Sequence, residues 1–280
     1  VKADLIVQIT KLYAASKPGT LVWAMGLTQH TIGTSNTRMA PILQLALGNM
    51  GVAGGGTNIL RGHDNVQGAT DFGCLSDSLP GYYGLAEGSW KYFASSWGVD
   101  FDWLKGRFKD PSWMGKNGFT LARWWAGVLA GNEGEDAIHN AGTNLKALFV
   151  MGNGITSTAQ TKKVKEALDK LELAVFCDPF VNEGAIITDK QNDVYILPAA
   201  TQFETAGSVT ATNRSGQWRY EVVKPMYESK PDQEIMFELA KRLGFYEQLT
   251  AGMGKGKDFV WPDDATNEIS RIIKTIGLTG

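Results

Sequence analysis

An α/β fold, with parallel or mixed sheets and flanking helices, is predicted for this 280-residue chain. Three observations predict it. A helical period in the first sixteen residues runs directly into a short apolar strand. Two apolar runs, 146–151 and 173–177, flank an amphipathic segment, which is the pattern of a β-α-β unit. A third short run, 194–197, is stopped by Pro198.

Taken in order, residues 4–16 place Leu5, Ile6, Ile9, Leu12 and Tyr13 on one helical face. Residues 20–25 form a buried strand ending at Gly26. Residues 35–50 form a second helix with Ser35 as its N-cap. From 62 to 120 the pattern is irregular and is broken by turns at Leu79-Pro80-Gly81 and Asp110-Pro111-Ser112. Aromatic residues concentrate there, from Tyr82 and Trp90 to Trp103 and Trp113. They either pack a loop-rich region or line a funnel or partner surface. In the β-α-β unit, residues 158–171 form the helix, with Val164, Ala167, Leu168 and Leu171 inward. Its crossover is right-handed. Further helices are expected at 232–243 and 265–275.

Hydrophobic residues make up 43% and charged residues 20%, as in an ordinary globular chain. A net charge of −2 points to neither nucleic acid nor an anionic membrane. No apolar run reaches bilayer length. The first residues lack a basic-then-apolar leader pattern, and the compartment stays open. Cys74 and Cys177 lie far apart in sequence. They are expected as two buried thiols, with a disulfide as the alternative. Two cysteines cannot hold an iron–sulfur cluster, which needs about four ligands.

The polar run 60–71 follows the tract Gly51-Val52-Ala53-Gly54-Gly55-Gly56. Glycines let backbone approach a ligand closely. Arg61 beside them offers a planar fork of donors for a carboxylate or phosphate. The pair therefore suggests a small anion held against backbone. His63, two residues on, can polarise such a site or relay a proton near neutral pH. Alternatively, Arg61 forms a surface ion pair and His63 a satisfied hydrogen bond. His139 is read as structural. In open parallel sheets, ligands bind beyond the carboxyl ends of strands. Three such ends carry suitable residues: Gly26 to His30, the segment 152–158 that opens a helix, and Asp178. Gly152-Asn153-Gly154 alone is a weak dinucleotide signal, because it lacks the third glycine.

The run Arg61-Gly62-His63-Asp64-Asn65-Val66-Gln67-Gly68 resembles the substrate-site segment of molybdenum- or tungsten-dependent formate dehydrogenases. These belong to the molybdopterin bis-guanine-dinucleotide family and carry Arg-Gly-[His or Gln]-x-Asn-x-Gln-Gly beside the metal. Met25 to His30, Val150-Met151-Gly152, Cys177 to Phe180, Val194 to Pro198 and Phe203-Glu204 extend the match in order. The resemblance implies a Rossmann-like part of the multi-domain molybdopterin oxidoreductase fold. It makes Arg61 the anchor that turns the formate C–H bond toward the metal centre, with His63 beside it. Gly26, Gln29, His30, Gly62, Gly152, Asn153, Thr158, Asp178 and Asp193 become contacts to the pterin guanine dinucleotides; alternatively His30 supports neighbouring site residues and Asp193 caps a strand start. The segment 210–217 departs from the family form: Ala211 stands where asparagine is common and Ser215 where arginine is common.

The resemblance further implies an internal piece of a catalytic subunit. Residues 1–62 end one cofactor-binding domain, 63–265 form a second, and 266–280 lead toward a cap domain. The metal thiolate (cysteine or selenocysteine) and a 4Fe-4S cluster are expected outside this chain, with no metal ligand inside it. Expected partners are formate or carbon dioxide, the rest of the subunit and an iron–sulfur electron-transfer subunit, with no nucleic acid. Turnover of a different small oxyanion, or pterin binding without turnover, are the alternatives.

Overall fold

The computed structural model describes residues 1–129, 144–212, 215–250, 263–264 and 266. The chain divides into two compact units: Val1–Asp71 with Val209–Gln217, and Phe72–Ser208 with Trp218–Gly280.

The first unit is built on two parallel strands, β1 (Thr20–Trp23) and β2 (Gly56–Ile59), in register from Thr20↔Gly56 to Trp23↔Ile59. Helix α1 (Ala3–Ala15) precedes β1, and α3 (Gly33–Ala46) makes the crossover. The fully buried Gln44 of α3 ties these elements together. Its Nε2 donates to the carbonyls of Gly19 (2.7 Å), just before β1, and of Gly56, the first residue of β2. Its Oε1 accepts from Tyr13 Oη of α1 (2.7 Å) and Asn49 Nδ2 (3.1 Å). A buried amide is tolerated here because its donor and acceptor ends are both satisfied.

Three expectations are corrected in this unit. The helix over 3–15 forms, but its apolar face is not inward. Ile6 is 54% and Leu12 68% exposed, whereas Tyr13 and Ala14 are half-buried and Tyr13 Oη reaches Gln44 of α3. Periodicity encodes a helix but not what covers it. The strand stops at Trp23, whose carbonyl accepts from Leu60 N–H at 2.8 Å, and a helical turn α2 (Met25–Thr28) follows. Gly26 therefore lies inside that turn. Finally, α3 starts at Gly33, so Ser35 sits within its first turn and is not the cap.

The second unit holds the expected β-α-β unit. Strands β3 (Ala147–Met151), β4 (Leu173–Asp178) and β5 (Val194–Pro198) are parallel in the order β3-β4-β5. The crossover helix α8 (Thr161–Lys170) buries Val164, Ala167 and Leu168 against Ala174 and Phe176, and Leu171 joins the same core. The stretch 62–120 is more regular than expected. It carries α4 (Val66–Asp71), α5 (Glu87–Trp97) and α6 (Phe101–Lys105), besides 3-10 turns at Pro80–Tyr82 and Pro111–Gly115. Trp90, Phe93, Ala94 and Trp97 follow a helical spacing, and Trp90 and Trp97 pack in an aromatic cluster around the buried Phe93. Tyr83 stacks on Tyr92 at 5.4 Å. The aromatic residues thus pack mainly on one another, although Tyr82 and Trp103 stay exposed.

The remaining described elements are α7 (Ala126–Leu129), α9 (Glu183–Ile187), β6 (Gly207–Thr210), β7 (Gly216–Arg219), α10 (Asp232–Leu243) and α11 (Tyr246–Thr250). The expected helix at 265–275, apart from residue 266, and the reading of His139 lie outside the described residues. Both cysteines are free, but Cys74 is exposed and only Cys177 is buried. None of the described helices is long and apolar enough to cross a membrane.

Candidate functional site

At the carboxyl edge of the β1–β2 sheet, β1 runs into α2 and β2 runs into Leu60 and Arg61. Gly26, Gln29 and His30 therefore emerge from the same sheet edge as Arg61, Gly62 and His63. Two nearly adjacent turns form here because parallel strands in register end together. The glycine tract does not share this edge, contrary to expectation. It runs into β2, whose first residue is Gly56, and the strand puts roughly 16 Å of extended chain between that end and Arg61. The tract instead meets the start of β1, where Gly54 O accepts from Thr20 Oγ1 at 2.7 Å.

Arg61 is half-buried, and its side chain is held by the first turns of α4. Nη1 donates to Gln67 Oε1 at 3.2 Å and to Thr70 Oγ1 at 2.8 Å. Its backbone N–H donates to Thr212 Oγ1 at 3.3 Å. Among the described residues it has no carboxylate partner, and Nε and Nη2 have no hydrogen bond. The surface ion-pair alternative does not describe this geometry. An oriented guanidinium with one side open suits a planar anion.

The other residues of this edge are open. Gly62 and His63 are exposed, and the His63 carbonyl accepts from Val66 N–H at 3.3 Å. His30 Nε2 lies 2.8 Å from Gly26 O and so closes the α2 turn. Gln29 Nε2 lies 3.4 Å from Met25 Sδ. Asn65 and Gln67 were present in the quoted motif without a role, whereas Thr70 lies beyond it. Asn65 adopts φ 60° and accepts from Thr210 N–H at 3.0 Å, while Gln67 Nε2 donates to Asp71 Oδ1 at 2.8 Å. The segment around 210–217, set aside for its departures, supplies both Thr210 and Thr212 to this brace.

In the second unit, Gly152, Asn153 and Asp178 gather at the carboxyl edge of β3 and β4. Gly152 adopts φ 59°, its N–H donates to Cys177 O at 3.0 Å, and nothing lies within 4 Å of where a Cβ would project. Backbone there is open to a ligand. Asp178 accepts from Phe180 N–H (3.1 Å) and from Asn182 Nδ2 (3.3 Å). The buried Asn182 also donates to Asn153 O at 2.9 Å and caps α9 by accepting from Gly184 N–H. It links the two turns, and sequence reasoning missed it because its role depends on a partner 29 residues away.

Two expectations shift here. The segment 152–158 does not open the helix: a 3-10 turn (Ile155–Ser157) intervenes and α8 starts at Thr161. Thr158 caps that turn, with Oγ1 donating to Ile155 O at 2.8 Å. Asp193 stands at the start of β5, with φ 62°. The parallel register puts it at the opposite edge of the sheet from Asp178, about 16 Å along the strands. The structure thus does not bring it to the other residues.

Asp232 begins α10. Burial pushes its carboxyl above the ordinary range, and the negative charge of Asp178 adds to this. The Cys177 thiol is likewise raised by burial, then by Asp232. Elsewhere in this unit, buried Glu204 accepts N–H bonds from Thr201 (2.7 Å) and Met226 (2.9 Å), which hold its carboxyl below the ordinary range. Among the described residues, no group of three or more His, Cys, Asp and Glu is placed to hold a metal ion.

Over most of its length the chain is similar to known proteins. The family model "Molybdopterin oxidoreductase" matches residues 5–242. "Formate dehydrogenase subunit alpha" of Megalodesulfovibrio gigas is 34% identical over 86% of this chain and 27% of its own length. "F420-dependent formate dehydrogenase subunit alpha" of Methanocaldococcus jannaschii is 31% identical over 97% of this chain and 35% of its own. The chain thus spans about a third or less of these relatives. Among solved structures, "Acetylene Hydratase from Pelobacter acetylenicus" superposes over 99% of this chain and 36% of its own, with TM-score 0.58 at 17% identity, a likeness of fold. With the family model covering most of its length, this chain belongs to the molybdopterin oxidoreductase family.

Proposed function

We propose that this chain is part of the catalytic subunit of a formate dehydrogenase, oxidising formate to carbon dioxide, a proton and two electrons at a molybdenum or tungsten centre. The observation that carries it is the guanidinium of Arg61, which among the described residues is hydrogen-bonded through Nη1 alone. Formate has no handle but its carboxylate. Two parallel N–H donors hold both oxygens and fix the direction of the C–H bond. His63, exposed beside it, takes the proton.

A pterin guanine dinucleotide fits the residues present at the second site. The open backbone at Gly152 admits a phosphate, and the Asp178 carboxylate accepts N–H or O–H donors from purine or ribose. When bound, the pterin-held metal supplies the electron acceptor. Gly26, Gln29, His30 and Gly62 are the proposed contacts of the first unit, and Gly152, Asn153 and Asp178 those of the second. In this reading residues 1–62 end one cofactor domain and 63–265 form another, although 63–71 and 209–217 cluster with the first unit, and 266–280 lead toward a cap. The metal thiolate, the 4Fe-4S cluster and an iron–sulfur partner subunit lie outside the chain. Two cysteines cannot supply the cluster, and in this reading the isolated chain is expected to be inert.

Arg61→Lys in the full-length metallated enzyme tests this. Lysine keeps the charge but loses the planar fork. We expect kcat/KM for formate to fall about a hundredfold, roughly 3 kcal/mol of lost positioning, with metal and pterin content unchanged. Wild-type formate kinetics in that variant would remove Arg61 from the site.

A further inference from the structure

We infer that Gln67 is a specificity-determining positioning residue, which fixes Arg61 while leaving its charge available to an anionic substrate. The inference rests on the formate reading of Arg61. It starts from an asymmetry in the partners of the guanidinium. Both Nη1 donors end on neutral oxygens, Gln67 Oε1 and Thr70 Oγ1. The nearest acid in this network, Asp71, is reached only through Gln67, whose Nε2 donates to its Oδ1 at 2.8 Å. Residues 67, 70 and 71 all lie on the single short helix α4, so their order along the network is set by its pitch.

This order has a consequence for binding. An arginine can be oriented cheaply by a carboxylate, but that carboxylate then competes with any incoming anion for the same donors. A primary amide avoids this. Its carbonyl oxygen takes the N–H of Arg61, its own N–H faces the acid, and hydrogen bonds in such a chain polarise one another. Asp71 thereby stiffens the amide without forming an ion pair with the guanidinium. The site holds a cation that is rigid and still unneutralised among the described residues.

Gln67→Glu tests the inference in the full-length metallated enzyme, because it moves a carboxylate onto Nη1 at unchanged size. We expect KM for formate to rise about tenfold or more and kcat to change much less, since ground state and transition state lose the same attraction. The double variant Gln67→Glu, Asp71→Asn restores the wild-type net charge but leaves the carboxylate on Arg61. It should stay as poor as the single variant. A wild-type KM in Gln67→Glu, or recovery in the double variant, would overturn the inference. If Gln67→Glu fails to fold or load metal, Gln67→Met removes the acceptor without adding charge. It should loosen Arg61 and lower kcat several-fold, and unchanged kinetics there would also overturn it. Arg61→Lys run in parallel separates the two claims. Impaired Arg61→Lys beside a normal Gln67→Glu removes only Gln67, whereas normal Arg61→Lys removes the formate reading itself.

Discussion

Asn65 Oδ1 accepts the backbone N–H of Thr210 at 3.0 Å, joining residues 145 positions apart. The bond needs Asn65 at φ 60°, a left-handed conformation that asparagine tolerates. It also needs Gly68, because a Cβ there would lie 2.0 Å from the same Oδ1. Gly68→Ala should therefore expel the Asn65 amide and strand Thr210 N–H, costing about 1–3 kcal/mol of stability. A denaturant midpoint identical to wild type would show that the brace is not needed.

Asp178 and Asn182 should govern nucleotide retention rather than chemistry. Each makes hydrogen bonds that shape the turn ends of β3 and β4. Losing one charged hydrogen bond to a ligand costs roughly 1.5–3 kcal/mol. Asp178→Ala should thus lower bound guanine dinucleotide per protein, measured after release by denaturation. Full cofactor content with lost turnover would instead give Asp178 a catalytic role.

Asp232 should respond to pH in the reverse sense to most acids. Burial and the Asp178 charge raise its folded value, so the fold prefers it protonated. Stability from this group is present below the unfolded value, about 3.9, and is lost as pH rises through the folded one. Asp232→Asn should raise Tm at neutral pH, and the gain should shrink toward pH 3. A gain that is constant across that range would exclude titration as its cause.

Glu204 should behave the other way. The N–H groups of Thr201 and Met226 lower its folded value. Its contribution is present above the unfolded value, about 4.3, and is lost as pH falls through the folded one. Glu204→Gln should lower Tm at pH 7 and flatten the acid side of the Tm–pH curve. Parallel wild-type and variant curves would count against this assignment.

The β-α-β unit was legible in the sequence because its signals are local. Apolar runs of strand length flank a helix whose inward residues Val164, Ala167, Leu168 and Leu171 recur at a helical period, and all four are buried. The order of motifs from Arg61 to Glu204 likewise survives in the chain without its fold. Tertiary structure decided the rest. Whether a glycine tract or an arginine lies at the carboxyl edge of the sheet depends on which end of β2 each occupies, and pairing with β1 orients that strand. Asp193 and Asp178 look equivalent as acids at strand termini, yet parallel register sends them to opposite edges. Thr212 reaches the backbone of Arg61 across 151 residues, a distance over which no local period carries information. Sequence determines which elements form, because propensity and periodicity act within a few turns. Only the packed fold determines which side chains meet, because those contacts are chosen by strand pairing and chain return.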